Sequence, residues 1–98
     1  MWIETFNIND LTDKQRKRFI YNNHNIIIYR DGDKIYAFEN KCSHEDFPLF
    51  DGYIDGKVIE CSKHGAKFDI ETGEVLSMPA VIPIKVYKIK IENKVIYV

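Results

Sequence analysis

Apolar and polar residues alternate with a period of two along much of this chain, the pattern of strands that bury one face. Residues 2–6 and Lys34–Glu39 alternate in this way, and residues 18–21 and 25–30 are rich in β-branched and aromatic side chains. Asp31-Gly32 predicts a tight hairpin turn between the strands on either side of it. Asp55-Gly56 predicts a second, joining Tyr53-Ile54 to residues 57–61. Towards the C-terminus, residues 85–91 alternate again, with Val86, Lys88 and Lys90 opposed to Lys85, Tyr87, Ile89 and Ile91. That segment turns at Glu92-Asn93 and returns over 94–98. The longest apolar runs, Ile26-Ile27-Ile28-Tyr29 and residues 81–84, suit buried strands, and Trp2, Tyr29, Tyr36 and Phe38 are expected in the core. Only residues 9–18 suggest a helical turn, with Asn9 or Thr12 as its cap. Turn signals recurring every eight to twelve residues favour an all-β antiparallel sandwich or barrel over a parallel α/β sheet.

Composition narrows the classes. A chain of 98 residues is expected to form one domain, residues 1–98, with a modest core that gains from a metal crosslink. Its hydrophobic content of 45% is that of a folded globule rather than a disordered chain. A net charge of −1 argues against a nucleic-acid binder that works by phosphate neutralisation. Residues 31–60 nevertheless carry eight acids against Lys34, Lys41 and Lys57, so the middle of the chain is acidic. No apolar run approaches the roughly 20 residues of a membrane-spanning helix. Met1-Trp2-Ile3-Glu4 lacks the basic-then-apolar order of a signal peptide, so a cytoplasmic location is expected.

Candidate chemistry is confined to two short clusters, Cys42-Ser43-His44 and Cys61-Ser62-Lys63-His64. Their spacing is C-x-H-x16-C-x2-H, and they contain both cysteines and two of the three histidines. Two Cys and two His could complete a tetrahedral zinc site, although C-x-H is a poor match to the usual C-x2–4-C opening of such sites. A Cys42–Cys61 disulfide suits secreted chains better than this one. A cysteine nucleophile paired with histidine is conceivable from either cluster, but two parallel Cys/His pairs favour ligation. His24, within Asn22-Asn23-His24-Asn25, reads as a polar hairpin residue. Glu45 and Asp46 read as a solvated acidic loop or a docking surface.

The segment Cys42-Ser43-His44-Glu45-Asp46-Phe47-Pro48-Leu49-Phe50-Asp51-Gly52 resembles the first cluster-binding loop of Rieske-type 2Fe–2S ferredoxins. Cys61-Ser62-Lys63-His64-Gly65-Ala66-Lys67-Phe68-Asp69 resembles the second loop. Thr72-Gly73-Glu74-Val75-Leu76 with Met78-Pro79-Ala80 resembles the segment that follows. The resemblance covers about residues 41–80. It implies base sheets over about 1–40 and 70–98 and a cluster-binding lobe over about 41–69. It also implies one 2Fe–2S cluster, with Cys42 and Cys61 on one iron and His44 and His64 on the other. Gly65 would let the second loop turn closely, and Met78-Pro79-Ala80 would shield one side from water.

In the high-potential members of this group, a serine and a tyrosine donate hydrogen bonds to cluster sulfurs, and a disulfide joins the two loops. The corresponding positions here are Ala66 and Phe68, which have no hydroxyl, and Phe47 and Lys63, which cannot form a disulfide. The resemblance therefore implies a low-potential electron carrier rather than an enzyme. Its partners would be a flavin-dependent reductase as donor and a terminal oxygenase as acceptor, with no nucleic acid, no membrane and a monomeric state. The alternative is a small subunit fixed to a larger oxidoreductase, such as a nitrite reductase. Terminal oxygenase activity is not expected, because no residues remain for a mononuclear iron domain.

Overall fold

The computed structural model describes residues 1–43, 47–63, 65–78 and 82–98. Among these, ten short strands account for nearly all the regular structure: β1 (Glu4–Asn7), β2 (Arg16–Tyr21), β3 (His24–Asp31), β4 (Lys34–Glu39), β5 (Tyr53–Asp55), β6 (Val58–Glu60), β7 (Lys67–Asp69), β8 (Val75–Ser77), β9 (Lys90–Glu92) and β10 (Val95–Tyr97). They form three sheets, in the orders β1-β10-β9, β2-β3-β4 and β5-β6-β7-β8. Every pairing is antiparallel, as an all-β sandwich requires.

Strand β3 explains the layering. Its run Ile26-Ile27-Ile28-Tyr29 is buried throughout, which period-two geometry permits only when both faces are covered. Ile26 and Ile28 pack with Leu11, Ala37 and Ile96, towards the sheet that contains β10. Ile27 and Tyr29 pack with Tyr36, Phe38, Ile59 and Phe68, towards the four-stranded sheet. The central sheet is thus the shared wall of two cores.

The hairpins form where Asp-Gly predicts them, but displaced by one residue. Asp31 is still paired with Lys34, and Asp55 with Val58, so Gly32-Asp33 and Gly56-Lys57 are the central turn residues. Gly32 and Gly56 have φ of +62° and +61°, so the turn takes its left-handed residue first. Glu92 likewise pairs with Val95, leaving Asn93-Lys94 at the corner, both with positive φ. Asn22-Asn23 makes the equivalent turn between β2 and β3.

Four other expectations are corrected. The helical turn over 9–18 shrinks to a 3₁₀ turn, Ile8–Asp10, capped by Asn7 rather than Asn9 or Thr12. It stops early because Lys14 adopts φ +65° and Arg16 already pairs with Tyr29. Residues 85–91 do not form one strand. Lys85 and Tyr87 bond Glu39 and Ala37 beside β4, and only from Lys90 does the chain pair with β10, so it crosses between two sheets. In the stretch 82–84, Ile82 and Pro83 are exposed and only Ile84 is buried, its N–H donating to Gly73. Pro83 has no N–H to give to a ladder, so this stretch is not a buried strand. Trp2 is 44% exposed, outside the core, with the Lys90 ammonium 5.3 Å from its ring centroid. The four-stranded sheet runs from Tyr53 to Ser77, because Thr72-Gly73 turns the chain back to pair β8 with β7.

Candidate metal centre

Each cysteine follows within three residues of a strand and opens a short loop. Cys42 comes three residues after β4, and its N–H donates to the carbonyl of Phe47 at 2.6 Å. Cys61 comes directly after β6, and its N–H donates to the carbonyl of Ala66 at 2.8 Å. Both loops are therefore closed from residue i to i+5, over 42–47 and 61–66. Gly65, at φ +76°, makes the turn of the second loop and returns its N–H to the Cys61 carbonyl. By sequence, His44 lies inside the first loop and His64 inside the second.

The two sulfurs share one apolar environment. Cys42 is 1% exposed and Cys61 is 2% exposed, and both belong to the core cluster that includes Phe38, Leu49, Ile59 and Phe68. They are not joined in a disulfide. Ala66 and Phe68 are fully buried in the same cluster, so neither side of the second loop offers a hydroxyl there. His44, His64, Glu45 and Asp46 lie outside the described residues, as do Pro79 and Ala80 of the expected shielding segment. Met78, the described member of that segment, is 79% exposed.

Three positioning residues are not signalled by the motif. Asn40 is buried and makes three hydrogen bonds to two residues: its backbone N–H donates to the Asn25 carbonyl, its Oδ1 accepts from the Phe50 N–H at 2.8 Å, and its Nδ2 donates to Asn25 Oδ1. It thereby fixes the exit from β4 against the far end of the first loop. Arg16 of β2 donates from Nη1 to the carbonyls of Phe50 and Gly52, at 2.8 and 2.6 Å. A Cβ on Gly52 would lie 2.5 Å from the Glu60 carbonyl, so only glycine lets the first loop end so close to the residue before Cys61. Asn40 follows an alternating strand and could have been suspected locally, but Arg16 acts across 34 residues and leaves no local trace. Asn40→Ala should cost about 1–3 kcal/mol, because the half-buried Phe50 N–H loses its acceptor. A thermal melt of Asn40→Ala that overlays the parent's would show that Asn40 does not brace this loop.

The Rieske [2Fe-2S] domain family model matches residues 1–88. The chain is 35% identical over 92 residues to the ferredoxin component of the naphthalene 1,2-dioxygenase system of Pseudomonas putida, covering 94% of this chain and 88% of that protein. It is 33% identical over 84 residues to the ferredoxin component of the biphenyl 2,3-dioxygenase of Rhodococcus jostii, covering 86% and 78% of the two. The fold superposes on the ferredoxin of carbazole 1,9a-dioxygenase from Nocardioides aromaticivorans with a TM-score of 0.91, at 28% identity over 98% of this chain and 94% of that one. A chain from a complex of reduced oxygenase and oxidized ferredoxin in carbazole 1,9a-dioxygenase matches with a TM-score of 0.90, at 31% identity and 98% and 90% coverage. With buried paired cysteines at the heads of two matching loops, these likenesses establish that the chain belongs to the Rieske [2Fe-2S] domain family, as an electron-transfer protein carrying one 2Fe–2S cluster.

Proposed function

We propose that Cys42 and Cys61 bind one iron of the cluster and His44 and His64 the other. The observation that carries this reading is the burial of both cysteines in one core, each heading a loop closed at i to i+5. The residues present fit the group: two thiolates from the interior and two imidazoles, one in each loop by sequence, make up the donor set that this cluster type needs. When bound, the cluster supplies one-electron chemistry. The protein's part is to hold the thiolates in an apolar core that excludes water and to keep the loops rigid through Asn40, Arg16 and Gly52. The whole chain acts as one domain, with the cluster lobe built on the four-stranded sheet.

The carrier accepts single electrons from a flavin-dependent reductase and delivers them to a terminal oxygenase. Support for the acceptor comes from the relatives named as ferredoxin components of dioxygenase systems and from the solved complex of oxygenase and ferredoxin. Among the described residues no helix is long and apolar enough to cross a membrane. The protein acts in the cytoplasm, as a monomer that moves between donor and acceptor. Iron and acid-labile sulfide should each be found at two per chain, about the stoichiometry of one Rieske centre. The reduced protein should be reoxidised by the oxygenase component of a dioxygenase system. Zinc without sulfide after iron-replete expression would falsify the ligand assignment, and failure of a chemically reduced, fully loaded protein to reduce any such oxygenase would overturn the acceptor.

A low potential follows from the second loop. Ala66 and Phe68 are buried in the core that holds both cysteines and stand at the positions where the high-potential members carry hydroxyls, so the more negative reduced form would gain no hydrogen bond from either. The potential should lie near the low end of the Rieske range, about −150 mV. Ala66→Ser and Phe68→Tyr should each raise it by tens of millivolts, because a charge-assisted bond is worth roughly 1.5–3 kcal/mol and only its change on reduction counts. Redox titration of the two variants and their combination checks this, and an unchanged potential in all three would remove the argument.

A further inference from the structure

The two loops touch through side chains as well as through the shared core. The Lys63 ammonium lies 5.3 Å from the centroid of the Phe47 ring. Phe47 closes the first loop with its carbonyl and packs its half-buried ring against the core that holds both cysteines. Lys63 is an exposed residue in the middle of the second loop. A cation over an aromatic face is attracted by the ring quadrupole, and at 5.3 Å this pair is within the range where the attraction counts. We infer that Lys63 and Phe47 form a non-covalent clasp that holds the loops 42–47 and 61–66 against each other and keeps a positive charge beside the cluster. The inference rests on the reading that these loops bind the cluster.

The clasp has two consequences. Opening either loop to solvent requires breaking it, so it slows loss of iron. Holding the ammonium at a fixed place near the loops favours the more negative, reduced form of the protein. It does so without any bond that a cellular thiol could reduce. Both side chains are positioning residues, since neither contributes a ligand.

The test is a double-mutant cycle on the loaded protein: wild type, Lys63→Met, Phe47→Leu and the combination, each with two irons and two sulfides per chain verified first. Loss of the ligand reading would appear at that verification, before the clasp is tested. Cluster release is followed as bleaching of visible absorption under excess iron chelator. Lys63→Met should release its cluster about two- to five-fold faster than wild type, the effect of an exposed cation–π pair. In the Phe47→Leu background, which also loses core packing, Lys63→Met should have a clearly smaller effect than in wild type. The potentials should follow the same pattern: Lys63→Met lowers the potential, and Phe47→Leu lowers it only when Lys63 is present. Lys63→Arg should keep both properties. Equal effects of Lys63→Met in both backgrounds, on release and on potential, would overturn the clasp and leave Lys63 a surface charge.

Discussion

Cys61→Ala should yield a colourless protein that melts far below the parent. The substitution removes a single sulfur from the core, and a deletion that small ordinarily costs about 1 kcal/mol in transfer and cavity terms. Loss of a metal crosslink costs much more, several kcal/mol by analogy with structural metal sites. The difference is large enough to be decisive for a domain whose total stability is about 5–15 kcal/mol. The placement of the cysteines says where the damage should spread. Cys42 leaves the central sheet after β4, whereas Cys61 leaves the four-stranded sheet after β6. Breaking their link should therefore loosen the whole four-stranded sheet from the central one. Amide hydrogen exchange in Cys61→Ala should show protection lost across β5–β8 and retained in β3. A variant that keeps its colour would remove Cys61 from the ligand set. One that loses colour but melts like the parent would show that the sheets hold together without the cluster.

Phe38→Ala should be nearly as damaging, by a different route. Phe38 is fully buried on β4, pairs with Ile27 on the neighbouring strand β3, forms a bridge with Val86, and shares the core cluster with both cysteines. Truncating a buried Phe to Ala usually costs about 3–5 kcal/mol, the spread reflecting how far the site can collapse. Collapse should be limited here, because the ring's neighbours come from the central sheet, both loops and the crossing segment near Val86. The expected result is a large fall in melting temperature together with faster bleaching of the cluster, since both cysteines share the disturbed core. A denaturant melt showing a loss below about 1 kcal/mol would mean that this core repacks easily, contrary to the close-packed interior the structure describes.

The two Cys/His clusters stand out in the sequence because each is local: both cysteines sit within three residues of a histidine. Strand β4 was legible for the same reason, its alternation running over Lys34–Glu39 without interruption. Turn positions differ by one because an Asp-Gly pair predicts glycine in the second turn position, whereas the chain uses it in the first. The apolar run over 81–84 predicts a buried strand, but over 82–84 Pro83 denies the chain a donor. Trp2 misled because a large aromatic does not specify a face. The sheet crossing after Tyr87 was invisible because alternation persists through it: Ile89 and Ile91 keep the period while the pairing partner changes. Least legible were the braces that shape the site. The reach of Arg16 to Phe50 and Gly52 depends on two distant segments meeting, and no pattern near residue 16 records it.

Strand β2 lies at the rim of the central sheet, where one side of its backbone has no neighbouring strand in that sheet. Such a rim is a template on which another chain can add, and Ile20, 68% exposed, would ordinarily make it adhesive. The strand begins Arg16-Lys17-Arg18, so a second copy aligning along it in parallel register would bring cations against cations. This repulsion matters most before iron is acquired, when a chain lacking its crosslink would spend longest with an apolar face uncovered. The same arginines that steady the finished loop, Arg16 through Phe50 and Gly52 and Arg18 over the Phe50 ring, thus guard the unfinished molecule against aggregation.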